Sequence, residues 1–399
     1  MRHSLAGRAE NAMQARILAQ LRDVGPLSKA QLADALEVSR TTVAAEVARL
    51  VELGLAQEAG PAASRGGRRS TLVDLSSEIR FAGISIGATG LSVGVTDGRL
   101  AVLATRSRSS DIRRGPEVVL AEALELLGEV MADVGVDQVM GAGVGVPGPV
   151  DFHRGVSVSP PIMPGWDGYP VRDVVSRELG CPVVLDNDVN VLAVGEQHAG
   201  VAKGARDFLF VKIGTGIGCG IVIDGELYRG LNGCAGDIGH IRVDDFGPTC
   251  ACGSTGCLEA FSGGAALARD ALALAHSGRS PALADLLAAK GEHGELTAAD
   301  VGLAVAQGDA QAVQLIRDSG RHVGEVLAGL VSFFNPGLIV IGGRVTGLGH
   351  ALLAEIRGVT YRRSLPLATG NLPIVLSELA DEGGVIGAAR LISNIVYAA

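Results

Sequence analysis

Apolar residues recur at helical spacing along the first part of the chain. Met13, Ile17, Leu18 and Leu21 share one face of a first expected helix, which Gly25 and Pro26 end. Ser28 with Gln31 three residues on forms a capping box, and Leu32, Ala35 and Leu36 supply the apolar face of a short second helix. Val38 and Ser39 make a turn, and Ser39 caps a third helix. Val43, Val47, Leu50, Val51 and Leu53 are its apolar positions, with Gly54 as its stop signal. Residues 70–75 then read as a strand returning after residues 55–58 and a Gly/Ala/Ser stretch. A helix, a helix-turn-helix and a hairpin in that order are the pattern of a winged helix-turn-helix.

From Arg80 onward the pattern changes to strands with glycine turns alternating with helices. Residues 81–95 read as a hairpin and residues 117–134 as an amphipathic helix. Residues 141–150 read as a buried strand ending in Pro147-Gly148-Pro149. Residues 182–185 follow as a strand, 190–200 as a helix, 207–225 as a hairpin and 338–343 as a late strand. Such alternation implies an α/β fold, and its length suggests two lobes. The expected domains are a winged head over 1–78, a first lobe over 79–195 completed by a C-terminal helix at 385–399, and a second lobe over 196–384. No short-period repeat or long low-complexity tail interrupts them.

Composition narrows the classes. Hydrophobic residues make up 47% of the 399 and charged residues 19%, which favours folding over disorder. No run approaches the roughly 18–20 apolar residues of a membrane span. The N-terminal stretch carries Glu10 and Arg16 and lacks a continuous apolar region, so no secretory signal is expected and the cytoplasm is the expected location. The net charge of −9 argues against a nucleic-acid partner until it is divided. Residues 1–80 hold 11 Lys/Arg and 9 Asp/Glu, whereas residues 81–399 hold 23 and 34. The acidic surplus therefore belongs to the body, and the head is slightly basic.

Three constellations carry candidate chemistry. His240 followed by Cys250, Cys252 and Cys257 offers one imidazole and three thiols, a closed tetrahedral set for a structural Zn²⁺; Gly253 and Gly256 let the backbone turn between the thiols. The other reading is a glycine loop with reduced, buried cysteines. Gly214, Thr215, Gly216, Gly218 and Gly220 lie between two apolar strands, where closely spaced backbone N–H groups can approach an anion, or where glycines simply make a hairpin turn. Asp186, Asn187, Asp188 and Asn190 sit at a strand end before a helix. A carboxylate there can act as general base on a hydroxyl, and the same residue types commonly cap helices.

Together these residues resemble the ROK family of repressors, open reading frames and sugar kinases. The resemblance runs from about residue 81 to near the end of the chain, and residues 233–259 are similar to the family's sugar-and-zinc signature. It implies an N-terminal winged helix-turn-helix followed by a two-lobed, actin-like sugar-kinase (ribonuclease H-like) ATPase fold. It implies sugar contacts from Asn187, Asp188, Asp237, His240 and Glu259, with Asp188 at the catalytic-base position, His240 also on the metal, and Asp237 where the family usually has Glu. The phosphate loops would be Gly87 and Thr89, then Gly214, Thr215, Gly216 and Gly218, with Gly342 and Gly343 at the adenosine. Two departures oppose an ATP/Mg²⁺ site and kinase chemistry, and a third falls at the sugar. The family's Asp-x-Gly-Gly-Thr-Lys loop is here Ser85-Ile86-Gly87-Ala88-Thr89-Gly90, which lacks both the acid and the lysine. Ile162 stands where many members place a sugar-contacting asparagine.

In the winged-helix reading the third helix enters the major groove, presenting Arg40, Thr41 and Thr42 and then Glu46 and Arg49. Arg68 and Arg69 on the wing would meet phosphates or the minor groove. The expected function is a sugar-responsive DNA-binding repressor of carbohydrate-metabolism genes, with operator DNA and a sugar or sugar phosphate as partners, acting as a homodimer or homotetramer away from membranes. The alternative is an ATP-dependent sugar kinase of glucokinase or N-acetylhexosamine kinase type, alone or as a second activity. A zinc hydrolase is disfavoured because four protein ligands leave no position for water.

Overall fold

The computed structural model describes residues 8–61, 70–291, 293–344, 348 and 350–398. The head begins with α1 (Ala12–Val24), capped by the Asn11 side chain, which accepts from the N–H groups of Met13 and Gln14. After β1 (Leu27–Ser28), α2 (Lys29–Leu36) carries the expected capping box: Gln31 N–H donates to Ser28 Oγ and Ser28 N–H to the Gln31 side chain. Its buried face is Leu32, Ala33 and Leu36, and the expected Ala35 is exposed instead. In α3 (Arg40–Glu52) Val43, Val47 and Leu50 are buried, while Val51 lies a helical step further round and is 42% exposed. β2 (Ala56–Pro61) and β3 (Thr71–Leu75) pair antiparallel, and β1 joins them in the order β1-β3-β2. This is the wing.

The chain then divides into two compact units. One comprises the head, the residues up to Gly195 and those from Asp381 onward; the other is Glu196–Ala380. In the first unit β4 (Arg80–Ile86), β5 (Leu91–Asp97) and β6 (Val102–Arg108) form an antiparallel meander. Helix α4 (Pro116–Asp133) packs on it. β7 (Gly141–Val146) pairs parallel with β4, ending earlier than the sequence suggests because Pro147 cannot donate to the ladder. A short hairpin of β8 (Val150–Asp151) and β9 (Val156–Ser157) precedes α5 (Val171–Leu179), a helix the sequence reading missed. Its first turn follows Pro170, and only Val171 and Val175 are buried, so its apolar stripe is thin. β10 (Val183–Asn187) pairs parallel with β7 and leads directly into α6 (Asp188–Ala199). The sheet order is β6-β5-β4-β7-β10.

The second unit repeats that design. β11 (Phe208–Ile213), β12 (Ile217–Ile223) and β13 (Glu226–Tyr228) form the antiparallel part. Then come α7 (Leu258–Ser262), α8 (Gly264–His276), α9 (Pro281–Ala289), α10 (Ala298–Ala306) and the long α11 (Ala310–Phe334). β14 (Leu338–Gly342) adds parallel to β11, and after α12 (His350–Arg363) and α13 (Pro366–Thr369), β15 (Ile374–Leu376) adds parallel to β14. The order β13-β12-β11-β14-β15 matches the first sheet strand for strand. The core joins the inner faces of β11, β12 and β14 to Ile316, Val323 and Leu327 of α11.

Finally α14 (Glu382–Tyr397) returns to the first unit and lies across β4, β5 and β7. It is buried on nearly every side, as a core helix is. The approach is backbone to backbone: a Cβ placed on Gly143 would stand 1.9 Å from the Ala388 carbonyl oxygen, and one on Gly83 2.2 Å from that of Val385. Among the described residues no helix is long and apolar enough to cross a membrane.

Candidate functional site

The densest chemistry lies in the second unit. His240 ends a short 3₁₀ turn, residues 238–240, and Cys250, Cys252 and Cys257 follow on a loop pinned by its own main chain. Cys250 N–H donates to the Ser254 carbonyl at 2.8 Å, and Gly256 N–H to that of Pro248 at 2.9 Å. Gly256 has a φ of +70°, and a Cβ there would meet the Asp244 carbonyl oxygen at 1.5 Å, so the loop closes only with glycine. The four ligand atoms lie within 4.8 Å of one another. Cys250 Sγ is 3.5 Å from His240 Nδ1, and Cys252 Sγ is 3.8 Å from Cys257 Sγ. Metal–ligand bonds of about 2.0–2.3 Å in a tetrahedron place ligand atoms at about that separation. Burial pushes the Cys250 thiol up to about 12 and raises that of Cys257, whereas a backbone hydrogen bond from Ser254 lowers that of the exposed Cys252. The donor set therefore fits a metal ion.

The carboxylates expected near this cluster are there. The other His240 nitrogen, Nε2, lies 3.9 Å from Asp237 Oδ1, so the ring presents one nitrogen to the thiols and the other to a carboxylate. Cys257 precedes α7 immediately, which sets Glu259 in the first turn of that helix. Glu259 accepts the Ile217 N–H at 3.0 Å, and burial pushes its carboxyl above the ordinary range. That bond ties the metal loop to the glycine loop, a link invisible in the sequence because its partners are 42 residues apart.

The glycine loop is tied to the start of α8 through its carbonyls. The carbonyls of Gly214 and Thr215 accept the N–H groups of Gly264 and Ala265, at 2.6 and 3.3 Å, at the start of α8. Gly218 lies in β12, Gly342 ends β14 and Gly343 follows it.

In the first unit Asn187 caps α6: its Oδ1 accepts the N–H groups of Val189 and Asn190, and its Nδ2 donates to the Gly148 carbonyl at 2.8 Å. Asp186 is buried and accepts Asn190 Nδ2 at 2.9 Å. Asp188 is the first residue of α6, also buried, at the helix end whose dipole favours an anion. The residues expected at the sugar thus hold the start of α6.

The first phosphate-type loop is a tight turn closed by its own backbone, with Gly87 N–H donating to the Gly90 carbonyl at 2.8 Å. The Ala88 and Thr89 carbonyls accept from Ile112 and Ser110. Ser85 lies against the start of α14: a Cβ on Gly384 would stand 2.3 Å from Ser85 Oγ. Ile162 is half-buried beside the apolar core that holds Trp166, whose indole donates to the Ile112 carbonyl at 3.1 Å.

Residues 81–395 match the ROK family. The chain belongs to that family. Residues 11–70 match the MarR family, which places a MarR-type winged helix ahead of the ROK body. A putative xylose repressor from Caldicellulosiruptor sp. (strain Rt8B.4) is 29% identical over 385 residues, covering 96% of this chain and 95% of its own. The crystal structure of a ROK family transcriptional regulator, a homologue of the E. coli Mlc protein, superposes with a TM-score of 0.81 at 26% identity, over 96% of each chain. A ROK glucokinase from Streptomyces griseus, solved with glucose and AMPPNP, gives 0.70 at 32% identity, covering 78% of this chain and 98% of its own. ROK proteins thus include both regulators and sugar kinases.

On the MarR-type head, Arg40, Thr41 and Thr42 are exposed at the start of α3. The two threonine hydroxyls are within 2.8 Å of Ser39 Oγ, which fixes the first turn. Arg49 is also exposed on α3, and its guanidinium pairs with Glu10 and Glu52. Glu46 accepts from Asn11 and Gln14 of the α1 entry. Arg68 and Arg69 lie outside the described residues.

Proposed function

We propose that this chain is a DNA-binding transcriptional repressor whose ROK body responds to a sugar or sugar phosphate. The observation that carries this reading is the end-to-end likeness to the putative xylose repressor, head included, which a kinase does not need. In this reading α3 enters the major groove with Arg40, Thr41 and Thr42 at the bases, and Arg49, Arg68 and Arg69 serve the backbone. The sugar is held by Asn187, Asp188, Asp237, His240 and Glu259. Carboxylates and amides suit polyhydroxylated ligands because each oxygen accepts a hydroxyl hydrogen. The metal at His240, Cys250, Cys252 and Cys257 is Zn²⁺, and its four protein ligands make it structural: it fixes the imidazole that faces Asp237. Two-fold operators suit a homodimer or homotetramer in the cytoplasm.

Glucokinase relatives support a second reading, phosphoryl transfer with Asp188 as base. The first phosphate-type loop opposes it. Ser85 packs onto Gly384 where kinases hold an acid, and Gly90 has no ammonium to offer a phosphate. ATP and Mg²⁺ are therefore not assigned.

A gel shift with the DNA flanking the protein's own gene, with and without glucose, xylose and N-acetylglucosamine, tests the repressor reading. Specific binding that a sugar weakens or strengthens supports it; none at low salt overturns it. A coupled ADP-release assay with the same sugars decides the kinase: turnover abolished by Asp188→Asn would establish it, and no turnover removes it.

A further inference from the structure

The head and the C-terminal helix are joined by a charge cluster built around one buried arginine. Arg22, near the end of α1, is 5% exposed. Its NH1 donates to Ser393 Oγ and to Asn394 Oδ1, both at 2.8 Å, and its Nε donates to Asp23 Oδ1 at 2.9 Å. The guanidinium also sits 5.7 Å from the Tyr397 ring centroid. Asp23 in turn accepts both terminal nitrogens of Arg390. Tyr397 donates to the Gly98 carbonyl at 3.0 Å and packs edge-on against Phe81. So α14 holds α1 by charge and the first sheet by aromatic contact.

The other end of α14 lies at the candidate ligand residues of the same unit. A Cβ on Gly384 would meet Ser85 Oγ at 2.3 Å, and one on Gly387 would meet the Val191 carbonyl oxygen at 1.8 Å. Val191 belongs to α6, whose first residue is Asp188. α14 is thus a buried rod of 16 residues with Ser85 and α6 at its start and Arg22 at its end. Backbone contacts this close leave no side chain to absorb a shift. A displacement of α6 or β4 moves the rod, and the rod moves the acceptors of Arg22. Arg22 keeps Asp23 on its own helix, but its NH1 donors would lose both acceptors at a buried position, so the head follows.

We propose that α14 transmits ligand binding in the body to the DNA-binding head, and that Arg22, Asp23, Arg390 and Asn394 are the latch that fastens the two. The four are positioning residues: they act through the orientation of α3. The proposal rests on the reading of the chain as a sugar-responsive repressor.

The test uses the full-length protein, the DNA flanking its gene, and glucose, xylose and N-acetylglucosamine as probes. DNA affinity is measured with and without each sugar for the unmodified protein, Arg22→Met/Asn394→Leu, Asp23→Asn and Arg390→Gln. Ile395→Ala, on the half-exposed side of α14, is the control. Melting temperature, metal content and sugar affinity are followed in parallel. Arg22→Met/Asn394→Leu removes the buried guanidinium together with one of its neutral acceptors, so no buried charge is left behind, and the two single variants carry the test if the double variant does not fold. Effector coupling is typically of order 5–150-fold. In the latch variants it should collapse to within about twofold while sugar affinity and metal content stay unchanged; Ile395→Ala keeps it. Coupling preserved in the latch variants overturns the latch and leaves the repressor reading standing. An unmodified protein that binds the DNA but answers to no sugar, or binds no DNA, overturns that reading and the latch with it.

Discussion

Arg49 of the recognition helix donates two hydrogen bonds to Glu10, Nε to Oε2 at 2.9 Å and NH2 to Oε1 at 2.8 Å. The pair is a fork-to-fork arrangement at the surface, and it occupies a guanidinium that the sequence offers to DNA. Replacing Glu10 by Gln leaves Arg49 available to a phosphate. The expected result is tighter DNA binding at low salt, by a few-fold, with the slope of log affinity against log salt steeper by about one. Unchanged affinity and slope in a salt titration would show that Arg49 stays with Glu52.

The latch gives a pH signature. Burial tends to raise the Asp23 carboxyl, but the hydrogen bonds from Arg22 and Arg390 outweigh it and hold the group at about 2, below the ordinary 3.8. A lowered carboxyl stabilises the fold above its ordinary value and loses that contribution as pH falls toward its folded value. Asp23→Asn should therefore be less stable than the unmodified protein at neutral pH. The gap should close between about pH 4 and pH 2 in acid-unfolding curves. A gap that is constant across that range is the contrary outcome.

Gly143 tests the seat of α14. Its missing Cβ would sit 1.9 Å from the Ala388 carbonyl oxygen, a contact with backbone on both sides. Gly143→Ala should cost roughly 1–3 kcal/mol or more by overpacking. Thermal melting reads this directly, and Gly128→Ala, in α4 with nothing within 4 Å of its Cβ, serves as the comparison. Equal melting temperatures for the two variants would contradict the packing argument.

Cys257 probes the metal. It is buried, 3.8 Å from Cys252 Sγ, and it precedes the helix that carries Glu259. Cys257→Ser should abolish stoichiometric zinc in elemental analysis and lower sugar affinity, because the loop that presents His240 and Glu259 loses its clamp. Full zinc content in the variant would remove Cys257 from the ligand set.

The features legible in the sequence are those whose physics is local. Ser28 and Gln31 announce α2 because a capping box spans one turn, and Ser39 announces α3 in the same way. His240 and the three cysteines stand out because a closed loop can bring such ligands together within a short stretch. Other expectations shifted: Ala33 and Ala35 flank Leu32 and Leu36 at equal helical angles, and packing buries Ala33 and exposes Ala35. The thin stripe of α5 and the charged edge strand β6 gave too little periodic signal to be seen.

By itself, then, the sequence determined the winged head, the His240–Cys250–Cys252–Cys257 cluster and the alternation of an α/β body, because hydrogen bonds within a turn and periodic burial are written in neighbouring residues. Only the tertiary structure decided that the two sheets share one strand order, that Glu10 takes Arg49, that Asn187 caps α6, and that Arg22 closes on Ser393, 371 residues away. Asn187 offers a local cap that the sequence allowed without choosing. The others depend on which distant segments pack together, and that is settled by the burial of whole faces rather than by any residue's own neighbours.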